Sequence, residues 1–158
     1  MLAFLLYEKT QKEVLRVFNM LEYELGNELF EKTFPIILTD NGSEFGNPLS
    51  LEFNPEGIGR TRIFYCNPRA SYQKGMIEKN HEFIRYVLPK GTSFDNLVQT
   101  DINLMINHIS SLGRASLNWA SPYDVAKILI GKEVLKKLNL SKIATDEIQL
   151  NTKLLKKN

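Results

Sequence analysis

Two carboxylates frame the chemistry open to this chain. Asp40 lies in Thr39-Asp40-Asn41-Gly42-Ser43-Glu44-Phe45, directly after the apolar run Pro35-Ile36-Ile37-Leu38. That run reads as a buried strand. An aspartate at its end, followed by a glycine turn, is poorly placed for packing but well placed for a hard cation with oxygen ligands. Glu78 follows 38 positions later, inside a stretch of helical character. Such a pair around a divalent metal ion suits phosphodiester chemistry on DNA. Each residue also has a plainer explanation. Asp-Asn-Gly is a strong turn signal in its own right, and most helical glutamates are solvated.

The neighbours sharpen the choice. Glu78, His81, Glu82 and Arg85 share one helix face, at offsets of three, four and seven. Two acids one turn apart repel unless a cation lies between them. A divalent ion is one solution, and an Arg85–Glu82 ion pair is another. His81 reads as a polar helix residue or as a phosphate contact. Asn41 and Glu44 flank Asp40, Glu44 serving as a cap for the following turn or as a substitute carboxylate in a stand-alone nuclease. Cys66 reads as a buried strand residue, since no basic group is committed to lowering its pKa. Trp119 is expected to pack a loop against helices.

The net charge of +2 conceals an asymmetry. Residues 1–56 carry four Lys/Arg against ten Asp/Glu, whereas residues 60–90 carry seven against two. The basic segment encloses Glu78 and interleaves Phe64, Tyr65 and Tyr72 with its cations, as a phosphate-backbone surface requires. Arg62, Arg69, Lys74, Lys79, Arg85 and Lys90 are the candidate DNA contacts. Residues 127–158 hold eight lysines against three acids, which fits a basic arm or a solvated face equally well.

These side chains need a scaffold, and 158 residues, 43% of them hydrophobic, suffice for one domain with a real core. No apolar run is long enough to cross a membrane, and the start lacks the basic leader of a secretory signal. A single cysteine excludes an internal disulfide and a thiolate-rich zinc site, and suits a reducing cytosol. Leu2–Tyr7 reads as a strand buried on both faces. Thr10 with Glu13 forms a capping-box pattern before a helix ending at Gly26. Pro35–Thr39 is the next strand, which makes a βαβ unit with parallel strands. Arg62–Cys66, reached through the Gly57-Ile58-Gly59 turn, is a third. A helix is expected from Ser71 or Tyr72 to about Leu88. A second, over about 95–112, is capped by Thr92 and Asp95, with Val98, Ile102, Met105, Ile109 and Leu112 on its apolar face. Ser121-Pro122 with Asp124 opens a third.

Three ordered stretches carry a resemblance: Leu38-Thr39-Asp40-Asn41-Gly42-Ser43-Glu44-Phe45, then Tyr72-Gln73-Lys74-Gly75-Met76-Ile77-Glu78-Lys79-Asn80-His81, then Leu88-Pro89-Lys90-Gly91-Thr92. With them, the chain closely resembles the catalytic core of bacterial DDE transposases of the insertion-sequence-thirty group, within the retroviral-integrase-like superfamily. Asn107-His108 and Ala120-Ser121-Pro122-Tyr123 are similar to that group's usual ending. The resemblance implies an α/β, ribonuclease H-like fold: a short mixed sheet with flanking helices and a helical C-terminal half. It implies an acidic triad holding two Mg²⁺ or Mn²⁺ ions, in which Asp40 matches the second aspartate and Glu78 the glutamate. The family's first aspartate precedes the strand resembling Leu2–Tyr7. The expectation is therefore an incomplete core over residues 1–131 with a basic arm over 132–158, essentially inactive alone. The implied partners are transposon-end and target DNA, with a homodimer or assembly with a full-length transposase formed at an exposed sheet edge. A non-catalytic binding module is the alternative. The implied setting is the bacterial cytoplasm, at the nucleoid.

Overall fold

Thr10 opens the first helix through its own side chain. In the computed structural model, which describes residues 1–67 and 75–155 apart from the side chains of 75–78, Thr10 Oγ1 accepts the Glu13 N–H at 3.4 Å. Helix α1 (Gln11–Leu25) follows, and Gly26, at φ 80°, ends it and begins α2 (Asn27–Thr33). A positive φ there favours glycine, because a Cβ would crowd the backbone. Strand β1 (Ile36–Thr39) leads through a short 3₁₀ turn (Ser43–Phe45) to α3 (Pro48–Glu52), then to β2 (Arg62–Tyr65). The strands pair in parallel, Ile36 opposite Arg62 through Thr39 opposite Tyr65. Then come α4 (Gly75–Val87), α5 (Gln99–Ser111), α6 (Pro122–Ile130) and α7 (Lys132–Lys137). Among the described residues no helix is long and apolar enough to cross a membrane.

The chain divides into two compact units, Leu6–Gln73 and Met1–Leu5 with Lys74–Asn158. In the first, α1 buries Val14, Val17, Phe18 and Leu25, and Phe30, Leu51, Ile63 and Cys66 are buried with them. Arg60 is also fully buried. Its Nη1 donates to Asn19 Oδ1 at 2.7 Å and Glu22 Oε2 at 2.8 Å. Nε and Nη2 donate to the Leu51 and Ser50 carbonyls, both at 2.9 Å. Its flat guanidinium faces the Phe18 and Phe30 rings at 5.6 and 5.9 Å. The sequence places Arg60 in the basic segment. The structure makes it an internal tie with every nitrogen satisfied, as burying a cation demands.

The second unit buries Val87, Leu88, Ile102, Met105, Ile106 and Ile109, with Met1, Ala3 and Leu5 packed against them. That corrects the expected first strand. Leu2–Tyr7 joins no sheet, so the expected βαβ unit does not form, and the sheet is parallel rather than mixed among the described residues. The cause is non-local. Gln99 accepts the Leu5 N–H at 2.9 Å and donates to the Ala3 carbonyl at 3.0 Å, taking the place of a neighbouring strand. Strand β1 is not buried either, because Ile36 and Leu38 are 62% and 44% exposed.

Helix α5 begins at Gln99 rather than near 95. Ser93 and Asp95 bond each other, while the Asp101 carboxylate accepts the Val98 N–H at 3.0 Å and moves the cap there. Val98, expected on the buried face, is exposed in consequence. Helix α4 ends at Val87 as expected to within a residue, and its expected start at Ser71 or Tyr72 falls outside the described residues. The cap at Ser121 forms as read, its Oγ accepting the Asp124 N–H at 3.1 Å. Residues expected as a basic arm fold back instead: α7 buries Val134 and Leu135, and Asn107 bonds Ser141 at 3.0 Å. Trp119, expected to pack inward, is 75% exposed.

His108, on the buried side of α5, accepts the Gln149 N–H through Nδ1 at 3.1 Å. Burial lowers its pKa, opposed by the Glu147 charge. The folded state thus binds the proton less readily than the unfolded one. The stabilisation is present above the ordinary histidine value of about 6.5 and is lost as pH falls below it toward the depressed folded value. Acidification from neutral pH should lower the thermal midpoint, and His108→Gln should flatten that decline. An undiminished slope in the variant would assign the effect elsewhere.

Candidate functional site

Asp40 leaves β1 at the surface, immediately after buried Thr39. The Thr39 carbonyl accepts the Cys66 N–H at 2.8 Å, so the ends of both strands are pinned beside it. The turn that follows is closed by Phe45 N–H to Gly42 O at 2.9 Å and anchored to α1 by Gln11 Nε2 to Ser43 O at 3.0 Å. Glu44 folds its carboxylate back over Gly42, where an added Cβ would stand 2.6 Å from Oε2. A larger residue at 42 would therefore require the Glu44 carboxylate to swing away. Lys9 approaches Glu44 Oε1 at 3.5 Å, while Oε2 is buried without a hydrogen-bond partner.

That orphaned anionic oxygen, in the same turn as Asp40, fits a hard divalent cation, since a dry unpaired carboxylate oxygen is costly. Among the described residues no three His, Cys, Asp or Glu side chains gather closely enough to hold a metal by themselves. Asn41 is exposed beside Asp40.

Glu78 lies in α4, in the other unit from Asp40. Along the same helix Lys79, His81, Glu82 and Arg85 are exposed, as is Lys90 beyond it. Lys79 Nζ pairs with Glu82 Oε2 at 3.1 Å, so Glu82 takes a lysine one turn back, a partner that neither a bound ion nor an Arg85 pair had anticipated. Exposed pairs of this kind contribute little stability. Arg62 is exposed on β2. Arg69, Tyr72 and Lys74 fall outside the described residues. Tyr65 commits its hydroxyl to the Phe45 carbonyl, and Phe64 is 51% exposed. Sequence reasoning passed over Arg114, a lone cation in the loop between α5 and α6 that reaches α4 through Asn80. Nothing in its local spacing marks it.

Comparison with known proteins brings this geometry into context. The chain is 32% identical over 123 residues to the protein of Spiroplasma virus SpV1-R8A2 B named as an integrase, ORF3, a match covering 78% of this chain. It is 31% identical over 64 residues to the transposase for insertion sequence element IS1086 of Cupriavidus metallidurans, covering 40% of the chain. Over 96 residues, 61% of the chain, it is 26% identical to the transposase for IS4351 of Bacteroides fragilis. The matches span 36%, 19% and 28% of those proteins' lengths. No family model and no solved structure matches the chain. The relatives so matched are named as an integrase and as insertion-sequence transposases, and the chain spans about a third or less of their lengths.

Proposed function

We propose that this relative of integrases and insertion-sequence transposases is catalytic-core material of a DDE transposase, serving metal-dependent DNA strand cleavage and transfer. The carrying observation is the similarity over 78% of the chain to a protein named as an integrase. The parallel strands with flanking helices are compatible with a ribonuclease H-like core. Asp40 and Glu78 are the proposed carboxylate ligands of Mg²⁺ or Mn²⁺, and Glu44, four positions after Asp40, offers an oxygen with no hydrogen-bond partner. When bound, the ions would stabilise the attacking and leaving oxygens of an in-line phosphoryl transfer. This chain's own residues do the rest. The turn anchored on Gln11 holds the Asp40 carboxylate at the surface, where DNA can reach it, and the exposed cations Arg62, Lys79, Arg85 and Lys90 draw in the phosphate backbone.

Duplex binding tests the DNA half of this reading. Log K should fall linearly with log salt, with a slope of about −0.9 per neutralised phosphate. Arg85→Ala and Lys90→Ala should each make that slope shallower by about 1 while weakening different duplexes equally. A salt-independent affinity, or none, would remove these cations from the DNA interface.

A further inference from the structure

Arg114 sits in a loop that is bonded onto its own backbone. Its carbonyl accepts the N–H groups of Leu117 and Trp119, both at 2.9 Å, and its N–H donates to the Ala120 carbonyl at 3.1 Å. The side chain reaches α4, where Nη1 donates to Asn80 Oδ1 at 2.9 Å and the guanidinium carbon stands 4.5 Å from the centre of the Phe83 ring. Nε and Nη2 are buried and make no hydrogen bond. Burial lowers the pKa of this cation with no acid opposing the shift, yet arginine remains charged at any physiological pH.

Those two dry donors are unlike anything at Arg60, where every nitrogen is satisfied. The Asn80 bond and the Phe83 face fix the plane of the Arg114 guanidinium. Nε and Nη2 share one edge of that plane, so their N–H bonds point the same way, at the spacing that grips two oxygens of one oxyanion. Lys79 and Arg85 on α4 and Lys90 after it are exposed cations, which favours a polyanion over an isolated carboxylate.

We propose that the Nε–Nη2 edge of Arg114 is a phosphate-binding fork on the Glu78-bearing helix, filled by the DNA backbone; its source, though not its chemistry, rests on the DNA reading above. The loop that carries Arg114 holds Asn118 and Trp119 at φ 52° and 64°. Those are left-handed values, common for asparagine but costly for a side chain as bulky as tryptophan. Because Nε and Nη2 are buried, a local shift must open this edge before a phosphate reaches it. Binding then ties the nucleic acid to α4 through Asn80 and Phe83. The competing account is a purely structural clamp in which the fork stays empty.

The Nε–Hε resonance of Arg114, assigned by its loss in R114K, reports on the fork in the intact chain. The chain is titrated separately with a short DNA duplex, inorganic phosphate and acetate. The resonance should move downfield with duplex and, at higher concentration, with phosphate. R114K, which keeps the charge and loses the fork, should bind duplex about tenfold more weakly, the loss expected for one charge-assisted hydrogen bond. No movement in any arm while duplex still binds overturns the fork and leaves the DNA reading intact, and so does movement with acetate alone. Movement with phosphate in a chain that binds no duplex supports the fork and removes the DNA reading.

Discussion

Arg60→Met should unfold the Leu6–Gln73 unit or leave it without a cooperative transition. The substitution strands Glu22 Oε2, Asn19 Oδ1 and the Ser50 and Leu51 carbonyls, all of which Arg60 serves from a fully buried position. Removing one partner of a buried ion pair typically costs about 3–5 kcal/mol, against a total stability of about 5–15 kcal/mol for a whole domain. The Phe18 and Phe30 rings lose their shared cation as well. Arg60→Lys should fare little better, because a single ammonium cannot reach acceptors on both sides of a planar fork. Adding Glu22→Leu to Arg60→Met should recover part of the loss, since removing both charges spares the stranded carboxylate. Amide exchange of α1 and β2 measures all three variants within the unit. Protection unchanged in Arg60→Met would sink this account of the core.

Arg60 also marks the limit of what the linear chain disclosed. Elements set by neighbours in sequence were legible. Thr10 and Ser121 cap the helices they were expected to cap, because the accepting oxygen and the donating N–H lie three residues apart. The positions of β1 and β2 followed from short apolar runs between turns. What depended on distant partners was misread. Arg60 looked like part of a solvent-facing basic stretch, but its acceptors Asn19 and Glu22 stand 41 and 38 positions earlier. Leu2–Tyr7 had the composition of a strand, yet the side chain of Gln99, more than 90 positions away, takes up its backbone groups. Trp119 faces solvent because the backbone at 118 and 119 turns left-handed, which no local pattern announces. The site divides in the same way. The surface position of Asp40 at a strand end was readable from the turn after it. The burial of the Glu44 carboxylate over Gly42, and the empty edge of Arg114, were not.

Asp40→Asn should remove divalent-metal binding at the turn while leaving the fold in place, since Asp40 is exposed and Thr39, not Asp40, is the buried end of β1. Asparagine keeps the size and one carbonyl oxygen but loses the charge that holds a hard cation. In the wild-type chain Mn²⁺ should broaden the amide resonances of residues 41–45, and Asp40→Asn should abolish that broadening. Glu44→Gln should weaken it, because Oε2 has no other partner to turn to. In a full-length transposase carrying this core, Mg²⁺-dependent nicking of labelled transposon-end DNA should fall in Asp40→Asn and Glu78→Gln alike, by roughly three orders of magnitude, with the double variant little worse than either. Residues that act as one catalytic unit lose their effect together, so strict additivity would mean that the two carboxylates do not serve the same step. The metal and activity readouts separate two failures. Broadening that persists in Asp40→Asn would move the ion to another ligand set. Broadening that disappears while nicking continues unchanged would make Asp40 a metal ligand with no part in the chemistry.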